Sequence, residues 1–148
     1  MTTAVHSREA VKCQLAADVL RSHGGVRLRV TGTSMLPSVR PGDLLCVRHP
    51  DAVEAQAGDI VLFSREGRLF AHRVVRKVRS RGECCWITRG DSLAQDDPPV
   101  SREELLGRVT EIVRGQSRID PRAGLGWRSR GAPPTPNPQI PTPSSGRE

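Results

Sequence analysis

The chain is poor in aromatic residues and in lysine, and it has no long apolar run. Each shortage narrows what it can be. Aromatics make up 3% and hydrophobic residues 36% of its 148 residues, so one domain of ordinary size has to rest on a small aliphatic core. No stretch approaches the roughly 20 apolar residues that span a bilayer; the longest run in the expected core strands is Ile60–Phe63. The N-terminus lacks the apolar centre of a secretory signal. These features point to a cytoplasmic protein without a membrane span, with peripheral contact to a membrane left open. The cysteines, Cys13, Cys46, Cys84 and Cys85, lack C-x-x-C spacing, and an adjacent pair is a poor zinc clamp. They read as small apolar filler in a reducing compartment, and no metal or cofactor is expected. The net charge of +7 is spread along the chain, as on a solvated basic surface, so no nucleic-acid partner is expected.

What is present centres on Thr31–Arg48, T-G-T-S-M-L-P-S-V-R-P-G-D-L-L-C-V-R. An extended run, Val26–Val30, stops just before Ser34, where a tight turn can present a hydroxyl to a cleft. Pro37 and Pro41 hold the next residues extended, and Gly42-Asp43 marks a turn before a strand at Leu44–Arg48. Further strands are expected at Gly58–Phe63, Leu69–Arg79, Cys84–Thr88 and Gly107–Arg114. Ser101-x-x-Glu104 reads as a capping box for about one helical turn. Ahead of the strands, Val11, Leu15, Val19 and Leu20 recur at helical spacing, with Ser7 as a candidate cap and Gly24-Gly25 as the stop. Seven of the twelve prolines lie from Pro121 onward. The expected organisation is a helical segment over 1–25, a mostly-β core over 26–116 and a disordered Pro/Gly/Ser-rich tail over 117–148.

A serine hydroxyl becomes a useful nucleophile when a nearby base takes its proton. The lysines are Lys12, on the N-terminal helix, and Lys77, five residues past His72. Strand alternation places Phe70, His72, Val74 and Val78 on one face and Ala71, Arg73, Val75, Lys77 and Arg79 on the other, so Lys77 faces away from His72. Histidine suits the role of base, since its reference pKa of about 6.5 leaves it mostly neutral near pH 7. A carboxylate holding its other nitrogen steadies the imidazolium that forms. Asp91, Asp96 and Asp97 are the candidates. Asp43 and Asp59, each after a glycine, read as turn residues, and His6, His23 and His49 as surface residues.

The box Ser34-Met35-x-Pro37 resembles the nucleophile box of type I signal peptidases and of the LexA-type self-cleaving repressors. The likeness continues in order through Gly58–Phe63, Ala71-His72-Arg73-Val74-Val75, Thr88-Arg89-Gly90-Asp91-Ser92 with Asp96-Asp97, and Gly107-Arg108-Val109. It covers about residues 27–114. It implies a barrel-like peptidase fold in which Ser34 is the nucleophile and His72 the base, as in the histidine-bearing branch. Asp97 then partners His72, Asp91 is a second acid that shapes the site, and Asp96 is the fallback partner. It further implies that the Ser34 N–H stabilises the oxyanion. Signal peptidases commonly carry a serine two residues before the nucleophile; here that residue is Gly32. Gly32-Thr33-Ser34 instead resembles the repressor branch, so the Thr33 N–H and hydroxyl are the expected second donors. Met35 and Leu36 are expected to line a groove that binds an extended peptide or pre-protein by strand addition.

Two other functions fit the same residues. One is a self-processing regulator that cuts its own tail, for instance at Ala123-Gly124. The other is an inactive fold kept as a peptide-binding module. Oligomeric state has no signature in the sequence.

Overall fold

The structure, a computed structural model, describes residues 3–50 and 52–123. It is mostly β. Helix α1 (Thr3–His23) leads into β1 (Gly25–Arg29) and β2 (Leu44–Arg48). A 3-10 turn (Ala52–Glu54) then precedes β3 (Ile60–Arg65), β4 (Arg68–Ser80), β5 (Glu83–Arg89), β6 (Leu105–Arg114) and β7 (Ser117–Ile119). The strands form one antiparallel seven-stranded sheet in the order β1-β2-β6-β3-β4-β5, with β7 added beside β6. Irregular registers at Cys46/Val47, Leu62/Phe63 and Val74/Arg76 bend the strands.

The helix begins at Thr3, ahead of the expected cap at Ser7. Its Cys13, Ala16, Ala17 and Leu20 are buried, a face of small residues that lets it lie close to the sheet. Burial pushes the Cys13 thiol up from its ordinary pKa. The hairpin turns Glu66-Gly67 and Arg81-Gly82 each put two successive residues at positive φ, the geometry that closes two-residue β-hairpins.

The core has two parts, and β3 separates them. Ile60 and Leu62 join Met35, Val39, Leu45, Val47, Leu106, Val109 and Ile112 on one side. Val61 and Phe63 join Val74, Trp86, Val100 and Leu105 on the other. Side chains alternate across a strand, so a strand buried on both faces reads as an unbroken apolar run. That is the composition of Ile60–Phe63.

Two turns entering the sheet repeat one design. Asp43 and Asp59 each follow a glycine with φ near +97° or +98°. Each accepts a hydrogen bond from the N–H three residues earlier, Arg40 at 2.8 Å and Gln56 at 2.9 Å. They are turn residues as expected, but both are buried and each carries an ion pair, Arg114 on Asp43 and Arg122 on Asp59, at 2.8 and 2.7 Å. The Arg114 guanidinium holds the Asp43 carboxyl below the usual carboxylate range.

The folded core runs past the expected boundary at residue 117. Residues 117–119 form β7, and Ile119 packs on the first cluster. The register Ile112↔Ile119 explains the continuation: a turn at Arg114–Ser117 folds the chain back on β6. The remainder of the expected tail, 124–148, lies outside the described residues.

Candidate active site

Ser34 stands on the turn that follows β1. Its carbonyl accepts from the Ser92 N–H at 3.0 Å and the Ser92 hydroxyl at 2.9 Å. The Ser92 hydroxyl also lies 3.0 Å from the Thr33 carbonyl. The acid-bearing loop after β5 thus grips the backbone of the nucleophile turn. The grip is close: a Cβ on Gly90 would lie 2.6 Å from the Ser34 carbonyl oxygen and 2.9 Å from Leu93 Cδ1. Neither the backbone oxygen nor its turn can retreat without losing Ser92. Gly90→Ala is therefore expected to cost about 1–3 kcal/mol of stability and to slow any reaction of Ser34. Thermal unfolding measures the first effect and the rate of Ser34 modification the second. Gly32→Ala, whose Cβ meets nothing within 4 Å, serves as the stability control and is expected to melt with the wild type.

The Ser34 hydroxyl lies 3.0 Å from His72 Nε2, and His72 Nδ1 lies 2.6 Å from Asp97 Oδ2. His72 is 5% exposed. It lies opposite Val61 in the β3–β4 register, which sets it on the same side of the sheet as the second cluster. Phe63 and Phe70 flank its ring, with centroids 6.1 and 6.0 Å away. Asp97 is held in turn by Thr88: the Thr88 hydroxyl donates to Oδ2 at 2.6 Å and the Asp97 N–H donates to the Thr88 carbonyl at 2.8 Å. An imidazole protonated on Nδ1 donates to the carboxylate and leaves Nε2 to accept the serine proton. Hydroxyl, imidazole and acid thus form an unbroken series of hydrogen-bond distances.

The other acids are placed apart. Asp96 pairs with Arg89 at 2.7 Å and faces Arg76 at 3.8 Å, on the surface. The Asp91 carboxylate is buried against Arg73, which reaches its two oxygens at 3.1 and 2.6 Å, and it accepts from the Ser38 hydroxyl at 2.5 Å. Met35, expected along the groove, is instead 4% exposed in the first cluster. Its sulfur takes the Asp91 N–H at 3.3 Å. Ser34 and Met35 sit on a hydrogen-bonded turn, in which the Leu36 N–H donates to the Thr33 carbonyl at 3.1 Å and the Val39 N–H to the Met35 carbonyl at 3.0 Å; on it Ser34 faces His72 while Met35 enters the core. Leu36 stays half-buried and Thr33 exposed. His49, read as a surface residue, is half-buried, with Nδ1 2.7 Å from the Leu106 carbonyl oxygen.

One expectation for β4 changes, and a charged residue of its other face is buried. The shift between Val74 and Arg76 reverses the alternation beyond it. Lys77 therefore lies opposite Trp86, with its ammonium over that ring and 3.4 Å from the Val53 carbonyl. It is held away from Ser34 by these contacts rather than by facing the other side. Arg73, placed by alternation on the face opposite His72, is 4% exposed. Its face of β4 is covered by the first cluster, and the charge is accommodated by hydrogen bonds. Arg73 and Ser38 enter the site without having been singled out from the sequence. The one available signal for Arg73 was its position between a histidine and two valines on a core strand.

Among the described residues no group of three or more His, Cys, Asp or Glu is arranged to hold a metal ion, and no helix is long and apolar enough to cross a membrane.

The model of the Peptidase S24-like family matches residues 2–106. The catalytic subunit SEC11 of the signal peptidase complex from Scheffersomyces stipitis is 30% identical over 110 residues, covering 72% of this chain and 65% of that protein. SEC11 from Clavispora lusitaniae is 28% identical over the same length and coverage, and SEC11 from Pyricularia oryzae is 30% identical over 95 residues, 57% of this chain and 55% of that one. The chain thus spans about 65% or less of the length of these relatives. It belongs to the Peptidase S24-like family, within the type I signal-peptidase-like superfamily.

Proposed function

We propose that the protein is a signal-peptidase-like serine endopeptidase. The observation that carries this reading is the chain of contacts from Ser34 to His72 at 3.0 Å and from His72 to Asp97 at 2.6 Å. His72 Nε2 takes the Ser34 proton as the oxygen attacks a peptide carbonyl. Asp97 holds the imidazole and compensates its charge. The imidazolium then gives its proton to the leaving amine, and a water deprotonated by His72 hydrolyses the acyl-enzyme. The Ser34 N–H and the Thr33 N–H or hydroxyl supply the oxyanion donors. Asp91, through Ser92 and Gly90 beside it, shapes the turn that carries Ser34.

The substrate in this reading is an extended peptide or pre-protein segment. Residues 68–73 of β4 pair with β3 on one edge, while β5 joins the other edge from Arg73 onward. Residues 68–72 therefore keep one edge without a strand among the described residues, right beside His72. The outer edge of β1, the strand leading to Ser34, is likewise unpaired among the described residues. Such edges accept a peptide by strand addition.

Self-processing in cis at Ala123-Gly124 is disfavoured. Arg122 is tied to Asp59 at 2.7 Å and Pro121 to Arg73 at 2.5 Å. Adjacent strand residues point to opposite faces, so the contact to Arg73 lies across β4 from His72.

The test is a serine-directed fluorophosphonate, which forms an O–P bond to an activated serine as its P–F bond breaks and fluoride leaves. The wild type is expected to gain the mass of one probe less HF on the peptide containing Ser34, and Ser34→Ala none. A wild type that never gains it, under conditions where a SEC11 relative does, would move the assignment to a peptide-binding module.

A further inference from the structure

We infer that residues 117–122 form a positioning strap for the active site, acting through Arg73. The inference rests on the peptidase reading for its catalytic consequence and on the hydrogen bonds of Arg73 for its structure. A guanidinium has five N–H donors, and Arg73 uses all of them. Nε and Nη2 donate to Asp91 at 3.1 and 2.6 Å, and Nη2 also donates to the Ser38 hydroxyl at 3.2 Å. Nη1 donates to the carbonyls of Gly58 at 3.0 Å and Pro121 at 2.5 Å. Four separate segments thus meet on one buried cation: the nucleophile segment at Ser38, the acid loop at Asp91, the turn at Gly58 and the strap at Pro121.

The strap is fastened independently at both sides of Pro121. Before it, β7 pairs with β6. After it, Arg122 donates to Asp59 Oδ1 at 2.7 Å and to the Ala57 carbonyl at 3.1 Å. The same turn, residues 56–59, supplies the Gly58 carbonyl to Arg73. Releasing Arg122 loosens both acceptors of Nη1 at once and leaves a buried N–H of a cation short of a partner, which costs more than the bond itself. The guanidinium then shifts toward whatever acceptors remain, and Asp91 moves with it. Asp91 lies between Gly90, packed on the Ser34 carbonyl, and Ser92, bonded to it. The effect therefore reaches the nucleophile turn without any strap atom touching it. The family match ends at residue 106, before the strap begins.

The test uses the full chain with Arg122→Ala and Arg122→Lys. Amide hydrogen exchange reads the coupling directly. Arg122→Ala is expected to speed exchange about tenfold at the Ser92 and Asp97 N–H groups, which donate to Ser34 and Thr88, as well as within the strap. In the same variant, Ser34 phosphonylation by a small fluorophosphonate is expected to fall about five- to twentyfold, with KM for a peptide substrate nearly unchanged. Arg122→Lys, which keeps the cation at Asp59, is expected to restore most of both. Faster exchange confined to 117–123, with the loop 90–97 protected as in the wild type, overturns the inference. If the wild-type protein takes up no probe, the peptidase reading fails, and the exchange measurement still decides the strap.

Discussion

His72→Ala is expected to slow fluorophosphonate labelling of Ser34 by about 10⁴-fold or more, the scale seen when the base of a serine–histidine pair is removed. The reason is geometric. His72 Nε2 is 3.0 Å from the Ser34 hydroxyl, and Lys77, the one lysine of the core strands, is pinned over Trp86 with its ammonium 3.4 Å from the Val53 carbonyl. No second base among the described residues is placed to replace the imidazole. Asp97→Ala is expected to cost about 10³- to 10⁴-fold, because it removes the charge that stabilises the imidazolium and the contact that orients it. Lys77→Ala is expected to label within about twofold of the wild type. Intact-mass spectrometry of the adduct over time gives all four rates. Circular dichroism confirms that each variant is folded. Labelling that survives in His72→Ala and disappears in Lys77→Ala would transfer the base to Lys77.

The parts of this site that were legible in the sequence are those set by short-range pattern. Ser34 follows an extended run and precedes two prolines, so its turn is written locally. His72 is two residues from Phe70 and from Val74, and period-two alternation puts it on their face; the ring contacts with Phe70 and Phe63 follow. The order of strands along the chain was legible for the same reason, since β3 is an unbroken apolar run and both hairpin turns end in glycine. What remained hidden depends on long-range closure. Alternation put Arg73 on the face opposite His72, but it carries no information on whether a second layer covers that face. Here Ile60 and Met35 belong to a cluster on that side, and the burial of Arg73 follows from five acceptors scattered between residues 38 and 121. The irregularity after Val74 inverted the expected side of Lys77, and composition placed the tail boundary at 117 because a three-residue strand such as β7 is too short to show a period.

Arg73→Met is expected to destabilise the protein by about 3–5 kcal/mol, the cost of stripping one partner from a buried ion pair, and to lower the melting temperature by roughly 10–20 °C. The side chains of Arg73 and Asp91 are 5% and 4% exposed. A shape-matched apolar residue at 73 fills the volume but removes the paired cation from Asp91 and the donors from Gly58, Pro121 and Ser38. Arg118→Ala is the matched control. Its pair with Glu111 is 2.8 Å, against 2.6 Å for Arg73 and Asp91, but the side chains are 66% and 32% exposed, and such a pair contributes about 0–1 kcal/mol. The double variant Arg73→Met with Asp91→Leu separates stability from function. Removing both charges avoids leaving either unpaired in the core, so the double variant is expected to melt above Arg73→Met alone, a coupling of about 1–3 kcal/mol in a double-mutant cycle. Its Ser34 labelling is expected to stay low, because Met and Leu cannot tie the acid loop to Ser38, Gly58 and Pro121. Recovered stability with unrecovered reactivity identifies the buried pair as a positioning device. Recovery of both would mean that the pair serves the fold alone.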